Sequence, residues 1–466
     1  LCLPKTAWPP TLYTNRCGKP VDELWTNLGP EVINISYTGS RSIIHRVIQI
    51  DFSSISAFLT GFSTYPQPLR LRLRIFTIFF LYKQTHQAVR KGELSTIMKL
   101  VFDKADLVKS VAIAMKAVSG KTTMPILQCI LIDASSSQIK FTSNDMELGI
   151  ETLVTGMILE RGIVALDAKI FSEIVRKLPD NQVTIETDEN LLTTITCEKA
   201  KFNIPGQSGE DFSYLPILET SDCVSISQFT LKELIRQTIF SIAANENNKL
   251  MTGELFEIKD NTLRVVSLDG HRIAIRKIEL KNSYLDRKVV VPGKTLNEIS
   301  KILSGEMDDQ IDIYFSENHI MFKFDDTTVV SRLIDGEYFR IDQMLSSDYE
   351  TKVTINKKEF LSCIDRATLL VKEGDKKPII IDIQDGAMEL QINSAMGSMK
   401  EEIDINKEGK DIMIGFNPKF LIDALRVIDD EEISIYLVNP KAPCFIRNEE
   451  ESYIYLILPV NFNSVR

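Results

Sequence analysis

After Met98, apolar and polar positions change period in a recurring order. Residues 166–178, 291–303 and 416–428 begin 125 residues apart, twice over, and each carries apolar side chains at i, i+3 and i+7, such as Phe171, Ile174 and Leu178. This stripe predicts an amphipathic helix docked on other structure in all three places. Lys169, Lys294 and Lys419 fall at the same position of each helix. A second set precedes it: Phe102-Asp-Lys-Ala-Asp-Leu, Phe229-Thr-Leu-Lys-Glu-Leu and Ile355-Asn-Lys-Lys-Glu-Phe start 127 and 126 residues apart and open a further helix with a polar first turn. Elsewhere the chain alternates with period two, as in Ile311-Asp-Ile-Tyr-Phe, Ile320-Met-Phe-Lys-Phe and Ile433-Ser-Ile-Tyr-Leu-Val, the pattern of half-buried strands.

Each unit reads as strand, helix, three strands, helix and several more strands, an α+β arrangement in which two helices cover one face of an antiparallel sheet. We expect three such domains, 98–221, 222–347 and 348–466, with boundaries near Ser221-Asp222 and Ser347-Asp348. Units of this size are too large for a solenoid of short repeats, which points to a closed or arc-like assembly.

Charge changes the picture at Met98. Residues 1–97 hold 11 Lys+Arg against 5 Asp+Glu and residues 98–466 hold 43 against 59, so a net charge of −10 conceals +6 followed by −16. The first stretch also holds Trp8, Trp25 and seven of the 17 prolines, and shows neither a helical nor an alternating period. It lacks the layout of a signal peptide, and Lys91-Gly92-Glu93 back-translates to a purine-rich ribosome-binding sequence ahead of Met98. Residues 1–97 are therefore expected to be a non-native or disordered extension of translated upstream sequence, the alternative being a genuine basic arm.

Within the rest, the helix windows 103–118, 168–178, 230–243, 293–303, 356–372 and 417–428 hold 16 Lys+Arg and 8 Asp+Glu, a basic layer on an acidic protein. Such a layer suits a polyanion held through its phosphates without reading of sequence. The competing reading is ordinary solvated lysines. Lys121, Lys169, Arg176, Lys232, Lys294, Lys301 and Lys419 are the residues expected to face DNA. No apolar run reaches the ~18 residues of a membrane span. Seven cysteines without CxxC or Cys/His spacing give neither a disulfide scaffold nor a metal site, so a reducing cytoplasm is expected.

Catalytic constellations are scarce. There is no P-loop, GxSxG, HExxH or Gly-rich dinucleotide turn, and residues 98–466 contain two histidines, His271 and His319. Acidic clusters such as Asp308-Asp309 and Asp429-Asp430-Glu431-Glu432 read as solvated turns, and no metal or other cofactor is assigned. Leu268-Asp-Gly-His-Arg-Ile-Ala274 stands out, because Asp-Gly makes a tight turn that presents His271 and Arg272 beside Ile273. Two readings stay open: an Asp269/His271 catalytic pair, or a turn bordering a binding groove.

These residues place the chain beside a known family. Met98-Lys-Leu, Met124-Pro-Ile-Leu127, Thr252-Gly-Glu-Leu-Phe-Glu257, Ser267-Leu-Asp-Gly-His-Arg-Ile-Ala274, Val290-Val-Pro-Gly-Lys294, Leu333-Ile-Asp-Gly-Glu-Tyr338, Ile414-Gly-Phe-Asn-Pro418 and Tyr455-Leu-Ile-Leu-Pro-Val460 resemble, in order, the bacterial sliding clamp, the beta subunit of DNA polymerase III. The resemblance covers Met98 to the C-terminus. It implies three similar domains per chain and two chains closing head to tail around duplex DNA, a non-catalytic processivity factor with no cofactor.

The implied partners are double-stranded DNA, a second copy of the chain, the DNA polymerase III alpha subunit, the clamp loader and other proteins bearing clamp-binding peptides, and no membrane. The peptide groove would lie between the second and third domains and use Met251, Leu268, Gly270, His271, Arg272, Ile273, Asn417, Phe420, Leu456, Ile457, Leu458, Pro459 and Val460. One stretch departs from the family: Phe339-Arg340-Ile341 replaces a Pro-Asp-Tyr sequence, which puts the roles of Phe339, Gln343 and Met344 in question. The ending Asn461-Phe-Asn-Ser-Val-Arg466 is also longer than the pattern. The ring interface carries over to Phe202 and Ile204 on one side with Leu369 and Leu370 on the other. The rivals are an enzyme using Asp269, His271 and Arg272, and a clamp-like dimer that is never loaded on DNA.

Overall fold

The computed structural model describes residues 97–462 apart from 121, 219–222, 245–247, 346–347 and 372–376. They belong to one of the two units into which the chain divides, Leu94–Arg466. Residues 1–96, Lys121, Ser221, Asp222 and Ser347 lie outside the described residues.

The six α-helices among the described residues are α1 (Lys104–Ala114), α2 (Ala168–Lys177), α3 (Gln228–Arg236), α4 (Gly293–Ile302), α5 (Lys357–Thr368) and α6 (Pro418–Val427). A strand runs into each of them, and at five of the six joints a polar residue starts the helix. Asp103, Asp167, Ser227, Asn356 and Asn417 accept a hydrogen bond from a first-turn N–H, which satisfies a donor with no partner inside the helix. Only α4 begins without a side-chain cap, at Pro292.

The caps correct the register of the first helix set. Asp103, Ser227 and Asn356 are spaced by 124 and 129 residues, and Leu107, Leu231 and Phe360 are the matching buried positions. Phe229 therefore does not correspond to Phe102, whose counterparts are the buried Ile226 and Ile355. Matching one phenylalanine to another misplaced the second unit by three residues.

The strand count is corrected as well. Five strands, not three, separate the helices of the first domain: Cys129–Asp133, Ile139–Asn144, Leu148–Val154, Met157–Glu160 and Ile163–Asp167. The third domain repeats this, while in the second two long strands, Gly253–Leu268 and Arg272–Pro292, do the same work. Among the described residues all strand pairings are antiparallel, and two cross domain limits. Thr327–Arg332 pairs with Leu148–Val154, and Tyr453–Ile457 pairs with the start of Arg272–Pro292.

Each domain buries an apolar cluster, built around Phe171, Phe322 and Phe360 respectively. The helices form a layer held by polar links at their ends. Lys357 Nζ donates to Ile428 O at 2.6 Å and Lys232 Nζ to Leu303 O at 3.3 Å, each satisfying a carbonyl at a helix C-terminus, where a cation is favoured. Lys116 reaches Glu298 at 3.9 Å and Arg236 reaches Asp429 at 2.9 Å, linking the layer from domain to domain.

Candidate peptide groove and DNA-facing helices

The turn at 269–272 is closed by the pair Leu268 and Ile273, and Gly270 takes a φ of +86°, a region that favours glycine. Asp269 Oδ1 accepts from the N–H groups of His271 (2.9 Å) and Arg272 (3.1 Å), and Oδ2 accepts from Arg272 Nε at 2.9 Å. Arg272 also donates to Asp423 Oδ2 on α6 (2.7 Å) and to Phe240 O (2.6 Å), and its guanidinium lies 4.5 Å from the Phe420 ring centroid. Only 7% exposed, Arg272 is a rivet between the second and third domains. It is not a donor waiting for a peptide, which corrects the expectation for that residue.

The catalytic reading fails at the same place. The Asp269 carboxylate is spent on the turn and on Arg272, and the exposed His271 ring stacks on Phe420 with centroids 6.0 Å apart, so the two form no acid–base pair. No group of three or more metal-ligating side chains occurs among the described residues.

Sheet alternation divides the other groove residues between two faces. Leu268, Ile273 and Leu456 are buried in one cluster, with Met251 and Phe339 packed against it, whereas Ile457 lies in the third-domain core, with Phe420 at its margin. Leu268, Ile273, Leu456 and Ile457 are thus floor rather than open surface. Asn417 caps α6 through Lys419 N at 3.1 Å. The accessible part is His271 and Leu458, bordered by half-buried Met251, Phe420, Pro459 and Val460. Leu458 N donates to His271 O at 2.9 Å and Val460 N to Gly415 O at 2.8 Å. Pro459 falls between these two bonds, where no donor is required.

Phe339 keeps an apolar wall where the sequence departs from the family pattern, and Ile341 is buried beneath it, while Gln343 and Met344 stay exposed. Sequence reasoning missed a cavity of about 460 Å3 beside the same cluster, lined by Leu255, Ile334, Tyr338, Phe339, Arg264 and Asp342 among others. It also missed Glu254, fully buried with neither carboxyl oxygen hydrogen bonded. Burial pushes this carboxyl up to about 8, and the nearby Thr238 hydroxyl is spent on Leu234 O at 2.6 Å. Strand alternation is the signal that could have found it, because Glu254 shares a face with the core residue Phe256.

The expected DNA-facing residues divide too. Lys169, Arg176 and Lys419 are exposed, although Arg176 donates Nε to Ser172 O of its own helix at 3.3 Å. Lys232 is committed to Leu303 O, Lys294 to Asp145 and Lys301 to Glu298, so those three are not free cations. Of the interface residues, Phe202 is 39% exposed and Leu369 74% exposed. Leu370 lies beside Gly397, its Cδ2 3.7 Å from where a Cβ there would sit. Ile204 is already buried in the first-domain core, which leaves Phe202 as the accessible side chain of the two.

Descriptions of the DNA polymerase III beta subunit match in three consecutive pieces: the N-terminal domain over residues 98–216, the central domain over 225–339 and the C-terminal domain over 342–461. A beta sliding clamp of Staphylococcus aureus is 35% identical over 357 residues, which cover 74% of this chain and 94% of that protein. Among solved structures, a Eubacterium rectale protein assigned as a DNA polymerase III beta subunit is 71% identical, with a TM-score of 0.77 over 78% of this chain and all of that one. The DNA polymerase sliding clamp from Bacillus subtilis is 36% identical, with a TM-score of 0.76 over 79% of this chain and 100% of that chain. The chain belongs to the family of the DNA polymerase III beta subunit, the beta sliding clamps.

Proposed function

We propose that two copies of the chain close head to tail into a ring around duplex DNA, tether the replicative polymerase alpha subunit, and recruit the clamp loader and other proteins by short peptides. As a member of its family the chain is a DNA sliding clamp, a processivity factor rather than an enzyme. The observation that carries the ring is the repeated joint. Thr327–Arg332 and Tyr453–Ile457 each extend the sheet of the preceding domain. The equivalent strand of the first domain, Ala200–Gln207, has an open edge along residues 200–205, and the equivalent strand of the third, Gly397–Asp404, ends its sheet. Unpaired edges invite a partner strand, and different patches at the two ends of a chain make a heterologous contact that can close. Phe202, Leu369 and Leu370 flank these edges.

The domains of this reading are 98–221, 222–347 and 348–466, and the protein works in the cytoplasm. Peptides dock at His271, Leu458 and the apolar residues beside them. A slot for one or two large apolar side chains at ~25 cal/mol per Å2 gives, after ordering costs, roughly micromolar binding, which suits partners that exchange. The ring is tested by loading the full chain, and residues 98–466 alone, onto nicked circular DNA with a clamp loader. Both stay on circles and run off once the DNA is linearised; equal retention on circular and linear DNA would remove the ring.

A further inference from the structure

The helix layer is not uniformly basic. In the second domain every basic residue of the helices has an internal partner: Lys232 the Leu303 carbonyl, Arg236 the carboxylates of Glu233 and Asp429, Lys294 that of Asp145 and Lys301 that of Glu298. In the first domain Lys109, Lys169 and Lys177 are exposed and make neither an ion pair nor a side-chain hydrogen bond among the described residues, while Arg176 donates Nε to Ser172 O at 3.3 Å; in the third, Lys358 and Lys419 are exposed and equally without such a partner among the described residues. Exposed Asp106 and Glu173 in the first domain and Glu359 in the third offset part of this charge. Among the described residues one free cation remains in excess in the first domain, one in the third and none in the second.

We infer that the duplex is held by the first and third domains, on either side of the seam between two chains, while the second domain is a neutral wall. The inference rests on the ring reading above, which sets the first domain of one chain against the third of its partner. A paired cation presents a dipole, so its field falls off faster than that of a free charge. Transferring it to a phosphate leaves its carboxylate stranded beside that phosphate. Only free cations release counterions on binding, and each phosphate neutralised adds about 0.9 to the slope of log K against log salt.

The test is the affinity of the full chain for a fluorescent duplex across a salt series. K169Q/R176Q/K177Q lowers the slope by about two or more, K358Q/K419Q by about one or more, and K294Q/K301Q by less than about 0.5. E298Q works in the opposite sense: it frees Lys301 and Lys116, strengthens binding and raises the slope by about one. A thermal melt shows each variant folded. If K294Q/K301Q costs as much slope as the α2 triple variant, or E298Q leaves binding unchanged, the neutral wall is wrong. Absence of salt-dependent binding by the unaltered chain would overturn the ring on DNA itself, a result separate from the pattern among variants.

Discussion

At the junction of the first and second domains the Arg332 N–H donates to Glu147 O at 2.8 Å, and at the junction of the second and third the Leu458 N–H donates to His271 O at 2.9 Å. Five residue pairs stand in register at each. The side chains around this shared backbone scheme diverge. At the first junction Asn144 Nδ2 donates to Ser213 O at 3.0 Å, and Leu215 lies so close to Gly149 that a Cβ there would come within 2.0 Å of it. The linker seals that turn. At the second, Arg272 is locked between Asp269, Asp423 and the Phe240 carbonyl, while His271 and Leu458 remain exposed. One backbone solution serves both joints, and the side chains around it leave His271 and Leu458 exposed at the second while Leu215 covers Gly149 at the first.

The contrast is broken most strongly at its charged links. Arg272→Ala strands two partly buried carboxylates and is expected to cost about 3–5 kcal/mol. Lys294→Ala removes an exposed cation from the buried Asp145 carboxylate, which keeps the N–H groups of Glu147 and Leu148, and costs about 1–2 kcal/mol. Urea midpoints at constant slope measure both, and equal losses would mean that the two joints are held alike.

Glu254 sharpens the comparison through pH. Its carboxyl is raised from 4.5 to about 8, so the folded chain keeps a proton that the unfolded chain releases. The stabilisation is full below about pH 4.5 and is lost as pH rises through about 8. Over that window stability falls by up to roughly 5 kcal/mol, about 1.4 kcal/mol per pH unit. Glu254→Met removes this dependence; if the substituted chain still loses stability over the same window, the effect belongs to another group.

The smallest effect concerns the open surface. Deleting residues 458–466 removes Leu458 and its bond to His271, so a polymerase-derived peptide should bind at least about tenfold more weakly, a loss of about 1.4 kcal/mol, with the dimer intact. Calorimetry showing full affinity, or sedimentation showing monomers, would place the recruiting surface elsewhere.

Much of this was legible before folding. The 125-residue spacing of Lys169, Lys294 and Lys419 marked three real helices, because amphipathic periodicity is local. The Asp-Gly turn and the apolar tail were visible for the same reason. Partnership was not legible. Lys294 finds Asp145 from 149 residues away, and Arg272 finds Asp423 from 151. Nothing in local pattern separates a lysine with a distant carboxylate from one left free. The five strands between helices were also hidden, since short edge strands such as Met157–Glu160, three of whose four residues are exposed, alternate too weakly to be seen.

A strand shared by two domains turns a joint into a splice. To flex there, the chain must slide several backbone hydrogen bonds at once, a cooperative event rather than the bending of a hinge. Compliance is thereby pushed to the strands with an open edge, Ala200–Gln207 along residues 200–205 and Gly397–Asp404. In the ring proposed above, a hoop made of two such spliced halves gives way at its two seams, and a machine that must pass DNA through it has only to pry one of them.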